Sequence, residues 1–115
     1  MPKPEIFVSK NLEELSRAAA ELFVETARSR IAATGSFFAA LSGGATPRRL
    51  YELLATNAFS DRIAWPKVHL FQVDERLVPP SHPDSNFRMI REAWLAPLRM
   101  RRDNFHRMAG EQADA

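Results

Sequence analysis

Phe37-Phe38-Ala39-Ala40-Leu41-Ser42-Gly43-Gly44-Ala45-Thr46-Pro47 is an apolar run that passes through a glycine pair into residues suited to start a helix. Phe37 to Leu41 shows no alternation of apolar and polar side chains, which predicts a strand covered on both faces, as in a parallel sheet. Gly43 and Gly44 permit positive φ and close backbone approach, Thr46 suits a helix cap, and Pro47 suits the first helical position. A strand turning through glycines into a helix leaves backbone amides facing outward at the positive end of the helix dipole. The pattern reads as a phosphate cradle. A Gly-Gly pair also serves plain strand-to-helix turns, and on its own it does not separate the two readings.

Working outward, Glu5 to Ser9 predicts a short strand. Leu12, Leu15, Ala19, Leu22, Phe23, Ala27 and Ile31 then recur at helical spacing up to Gly35, with either Asn11 and Glu14 as a capping box or Ser9 as the cap. A second helix is expected from Pro47 to about Asn57, with Leu50, Leu53 and Leu54 inward, Tyr51 partly covered and Arg49 facing solvent. Val68 to Val73 predicts a second buried strand that ends at Asp74-Glu75-Arg76. Pro79, Pro80 and Pro83 make Leu77 to Asn86 a loop. A third helix follows from Asn86 to Leu95, with Phe87, Ile90 and Trp94 on one side and Pro97 closing it; Asn104 to Met108 is a further short strand. This alternation argues an α/β fold with a mostly parallel sheet and flanking helices. Ligands of such sheets bind beyond the carboxyl ends of the strands, so Ser42 to Pro47 and Asp74 to Arg76 are expected around one crevice.

With 115 residues, 45% of them hydrophobic, the chain has material for one modest core and at most one domain. Sixteen basic against fourteen acidic side chains leave +2, too even a balance to imply an acidic partner. The absence of cysteine excludes disulfides, thiolate nucleophiles and thiolate-bound metals. Met1 to Glu5 has no signal-peptide core, and no run approaches a membrane span, so a cytoplasmic address is the expectation.

Asp74, Glu75 and Arg76 place two carboxylates and a guanidinium at the strand end. Neighbours on an extended segment point to opposite sides, so Asp74 and Arg76 share a face while Glu75 turns toward a helix or a structural partner. A locally paired, solvated strand end is the bland alternative. The Arg76 fork suits an oxyanion, and Arg48, in the first turn after the cradle, adds a second charge. Ser85 is placed to cap the third helix, and Asn86 to bond a ligand or the cradle. His69 reads as a core histidine, while His82 lies in the loop and His106 near the end, so no metal site is legible. Ser42 lacks the glycine-flanked pattern of a nucleophile elbow. Arg99, Arg101, Arg102 and Arg107 read as a solvated surface, without the aromatic platform that RNA binding needs.

Leu41 to Pro47, Val73-Asp74-Glu75-Arg76, Val78-Pro79-Pro80 and His82-Pro83-Asp84-Ser85-Asn86, in this order and spacing, resemble the 6-phosphogluconolactonase family. The related glucosamine-6-phosphate isomerases and deaminases share the glycine turn and the Asp-Glu pair but typically follow it with an aromatic residue. Arg76 therefore favours the lactonase. The resemblance implies a Rossmann-like sheet, no cofactor, and hydrolysis of 6-phospho-D-glucono-1,5-lactone to 6-phosphogluconate in the oxidative pentose phosphate pathway. It implies that Ser42, Gly43, Gly44, Ala45 and Thr46 line the sugar-phosphate site, with Arg48 beside it. Asp74 and Arg76 face the lactone or its phosphate, and Asn86 braces the pocket. Ala45 stands where serine is frequent, leaving only its backbone amide. The family's presumed base lies on a later Asp-Gly-His segment, absent from these 115 residues. The resemblance thus implies an N-terminal half, a truncated α/β domain over 1–115 that anchors phosphate, has little or no turnover of its own, and could self-associate through an exposed sheet edge. Two rivals remain at this point: an amino-sugar phosphate isomerase or deaminase, and a non-catalytic sugar-phosphate-binding module.

Overall fold

The computed structural model of the chain describes residues 3–112. Met1, Pro2 and residues 113–115, which the sequence reading assigns to the same domain, lie outside the described residues. Three parallel strands, β1 (Phe37–Leu41), β2 (Val68–Gln72) and β3 (Phe105–His106), form one sheet in that order. Around them run α1 (Leu12–Thr34), α2 (Ala45–Ala55), α3 (Asn57–Ser60), α4 (Asn86–Ile90) and α5 (Ala96–Leu98). Asn11 caps α1 by accepting from the Glu14 amide at 2.9 Å, and Gly35 ends it at φ 89°, a conformation that favours glycine.

Phe37, Leu41, Val68 and Leu70 point to the helices and join Val24, Leu54, Ile90 and Trp94 in the core. Phe38, Phe71 and His106 point the other way, where no described helix covers them, and Phe38 keeps 63% of its surface exposed. The sheet is therefore buried on one face among the described residues, where two were expected. The expected strand Glu5 to Ser9 does not form; it pairs with no strand of the sheet, and Ile6, Phe7 and Val8 stay exposed.

The buried side of α1 is Ser16, Ala20, Val24 and Ala27, while Leu12, Leu15 and Leu22 of the expected stripe are exposed. Small residues let α1 lie close against its neighbours, so the narrow face packs rather than the leucine face. The third helix continues past Leu95. Pro97 has no N–H to return to the turn before it, and the backbone widens into a π-turn over Arg91–Leu95 before the final turn of α5.

Candidate functional site

Parallel pairing of Phe37 with Val68 through Leu41 with Gln72 brings the carboxyl ends of β1 and β2 side by side. The Val73 amide extends the pairing by donating to the Leu41 carbonyl at 2.9 Å. Ser42 and Asp74 thus leave adjacent strands at the same end of the sheet.

Gly44, at φ 96°, is the boundary residue of α2, which begins at Ala45. Thr46 and Pro47 therefore occupy the second and third helical positions, not the cap and the first as expected, because the boundary needs a positive φ that glycine adopts freely. Among the described residues no side chain caps this helix, and Pro47 has no N–H. The amides of Gly44, Ala45 and Thr46 consequently meet solvent at the positive end of α2, and Ser42, Gly44, Ala45 and Thr46 are all exposed. Buried Tyr51 donates its hydroxyl to the Ser42 carbonyl at 2.6 Å and stacks on Trp94 with ring centres 5.4 Å apart. Burial pushes the Tyr51 phenol up to about 12, which keeps it a donor.

Gly43 has no positive φ; a Cβ there would run into the side-chain amide of Asn86. On its other side Asn86 donates from Nδ2 to the Asp74 carboxylate at 3.3 Å and to the Asp74 carbonyl at 3.4 Å. Gly43, Asn86 and Asp74 are thus in one chain of contacts. Asp74 and Arg76 are exposed, and among the described residues the Arg76 guanidinium has no carboxylate partner.

Glu75 turns away from this surface toward α4, and Ser85 caps that helix by accepting from the Arg88 amide at 3.2 Å. Burial pushes the Glu75 carboxyl up, but the amides of Arg76, Asn86 and Phe87 and the Ser85 hydroxyl donate to it and hold it below its ordinary 4.5. Arg48 is not drawn into the contact chain; it pairs with Glu52 at 3.4 Å along α2. Arg49, expected in solvent, instead joins α2 to α1 through Glu13 at 2.7 Å and 3.0 Å. His69 lies on the uncovered sheet face instead of in the core, within 3.2 Å of the His106 ring.

Three residues near the site carry no role in the sequence reading. Tyr51 sits in an apolar stripe, where its hydroxyl was the only signal. Gln72 is buried, donates to Glu75 at 3.2 Å and accepts from the Met108 amide at 2.8 Å, tying the site to the chain after β3. A lone amide in an otherwise apolar strand end was its signal. Gly110 leaves no room for a Cβ against the Arg76 carbonyl, and nothing local in the sequence announces that distant contact. A cleft of about 840 Å³ between the proline loop and the chain after Leu95 is lined by Phe87, Arg91, Arg99 and Arg107 among others. None of the site residues expected from the sequence borders it.

The family model described as glucosamine-6-phosphate isomerases/6-phosphogluconolactonase matches residues 10–115. A 6-phosphogluconolactonase of Synechocystis sp. is 40% identical over 111 residues, covering 96% of this chain and 45% of that protein. One of Treponema pallidum is 37% identical over 106 residues, covering 92% of this chain and 44% of that protein. The solved 6-phosphogluconolactonase of Trypanosoma brucei superposes with a TM-score of 0.81 at 29% identity, covering 98% of this chain and 43% of that one. The chain spans less than half the length of these relatives. The mostly parallel, Rossmann-like α/β sheet with flanking helices is the fold of those neighbours, and with the match over nearly its whole length the chain belongs to the glucosamine-6-phosphate isomerase/6-phosphogluconolactonase family.

Proposed function

We propose that this chain carries the phosphate-anchoring part of a 6-phosphogluconolactonase, which hydrolyses 6-phospho-D-glucono-1,5-lactone to 6-phosphogluconate. The observation that carries this reading is the Asn86 side chain, which touches Gly43 on one strand end and bonds Asp74 on the other. The amides of Gly44, Ala45 and Thr46 receive the phosphate oxygens at the positive end of α2, and the unpaired Arg76 fork adds charge-assisted bonds. Ser42 and Gly43 set the turn, Asn86 holds Asp74 toward the sugar ring, and Arg48 contributes charge at the rim. Relatives named 6-phosphogluconolactonase over most of this chain support the lactone as substrate. So does Arg76 directly after the Asp-Glu pair.

Opening the lactone requires a base to take a proton from water as it attacks the carbonyl carbon, and donors for the resulting oxyanion. The residues of the two strand ends supply the anchoring side of this reaction. No helix among the described residues is long and apolar enough to cross a membrane. A cytoplasmic site of action is part of this proposal. On its own the chain pairs with a second copy through the open edge or the uncovered face of its sheet.

Calorimetric titration with 6-phosphogluconate tests the reading. Binding is expected, with Arg76→Ala weakening it about tenfold or more, as loss of a charge-assisted bond does. Equal or tighter binding of glucosamine 6-phosphate, or indifference to Arg76→Ala, would overturn the assignment.

A further inference from the structure

We infer that Glu75 is the positioning residue of this site: its ionised carboxylate ties the Asp74 to Arg76 turn to the start of α4 and thereby holds Asn86 between Gly43 and Asp74. The inference rests on the strand ends being the anion site proposed above. One carboxylate oxygen accepts from the amides of Arg76 at 2.8 Å and Asn86 at 2.7 Å. The other accepts from the Ser85 hydroxyl at 2.8 Å, the Phe87 amide at 3.1 Å and the Gln72 side chain at 3.2 Å. All five partners donate. Only an acceptor-only group serves them, so a protonated carboxyl or a glutamine would set one of its own hydrogens against a donor.

The contact acts on the site because Asn86 is held twice. Its backbone amide is fixed by Glu75, and its side chain fills the space beside Gly43 and donates to Asp74. Releasing the backbone amide therefore moves the side chain that joins the two strand ends. At the start of α4 the Ser85 hydroxyl accepts from the Arg88 amide while Glu75 takes the Asn86 and Phe87 amides, and buried Ile90 anchors the helix in the core. Loss of Glu75 thus loosens the turn and the first residues of α4, while Ile90 keeps the helix docked. The charged group facing Glu75 from another element is Arg107, in the chain after β3, itself held by Glu111 at 2.6 Å. Burial raises the carboxyl, and the bonds donated by the Arg76, Asn86 and Phe87 amides and the Ser85 hydroxyl outweigh that, keeping it ionised at neutral pH.

The test is an amide NMR titration of the whole 115-residue chain from neutral pH downward. The amides of Arg76, Asn86 and Phe87 should move with one common midpoint below 4.5, and the Asn86 side-chain and Gly43 signals should follow it. Glu75→Gln should remove that midpoint, shift the Asn86 side-chain and Gly43 signals at neutral pH, and weaken 6-phosphogluconate binding about tenfold or more. The Trp94 indole signal should stay in place as the folding control. Separate midpoints, or Gly43 and Asn86 side-chain signals that ignore the Glu75 transition, would overturn the inference. Should Glu75→Gln fail to fold, the wild-type titration alone decides. Absence of 6-phosphogluconate binding by the wild type, with the common midpoint intact, would refute the substrate reading and leave the positioning role standing.

Discussion

A Cβ on Gly43 would enter the space held by the Asn86 side chain, whereas at Gly44 that position is open and only the φ of 96° disfavours a side chain. Gly43→Ala is therefore expected to cost about 1–3 kcal/mol by overpacking and to weaken 6-phosphogluconate binding by displacing Asn86. Gly44→Ala should cost about 1–3 kcal/mol through backbone strain alone, since its ψ of 173° puts it in a region that glycine nearly monopolises. Urea melts paired with calorimetry separate the two. Both glycines announce a turn in the sequence, but their different reasons appear only once Asn86, more than forty residues away, is folded against one of them. Tyr51→Phe should lose about 1 kcal/mol with the bond to the Ser42 carbonyl, read as a lower urea midpoint. The Glu75 carboxyl titrates below its unfolded value, so its contribution to stability is full above about 4.5 and is lost as pH falls through the folded-state value. Thermal melts across that range should show a shallower acid decline for Glu75→Gln than for the wild type; parallel declines would contradict it.

Among the elements, β1 and β2 were legible because short runs dominated by apolar residues and bounded by turn residues leave few alternatives. The Asp74 to Arg76 turn was legible too, since alternation on an extended segment sends Glu75 away from Asp74. Helix α1 was legible as a helix and only partly as a face: Phe23, Ala27 and Ile31 of the expected stripe pack against the core, whereas Leu12, Leu15 and Leu22 do not. It carries two adjacent apolar strips, and periodicity cannot choose between leucines and small residues; close packing chose Ser16, Ala20, Val24 and Ala27. Ala20→Leu should then cost about 1–3 kcal/mol while Leu22→Ala costs about 0.5 kcal/mol or less, a contrast that thermal melts resolve. The reverse order would show that the leucine face is the packed one. Pro97 marked the end of a helix in the sequence, yet a π-turn lets the chain absorb it, an outcome that depends on core contacts made by Trp94 and Leu95.

For the molecule as a whole, the helices shield one face of the sheet and leave Phe38, Phe71 and His106 on the other, with Val73 and Leu77 exposed beyond the strand end. Apolar surface and free strand edges of this kind drive association. Sedimentation of the isolated chain should show self-association, and Phe38→Ser with Phe71→Ser should shift it toward monomer. A monomer at high concentration would argue against that surface being sticky. The central claim is that two turns thirty residues apart in sequence make one anion site. Titrating the chain with 6-phosphogluconate while following amide resonances tests it most directly. The account expects the Gly43, Gly44, Ala45 and Thr46 amides and the Arg76 side chain to shift together along one binding curve, and a response confined to one turn, or none at saturating ligand, would contradict it.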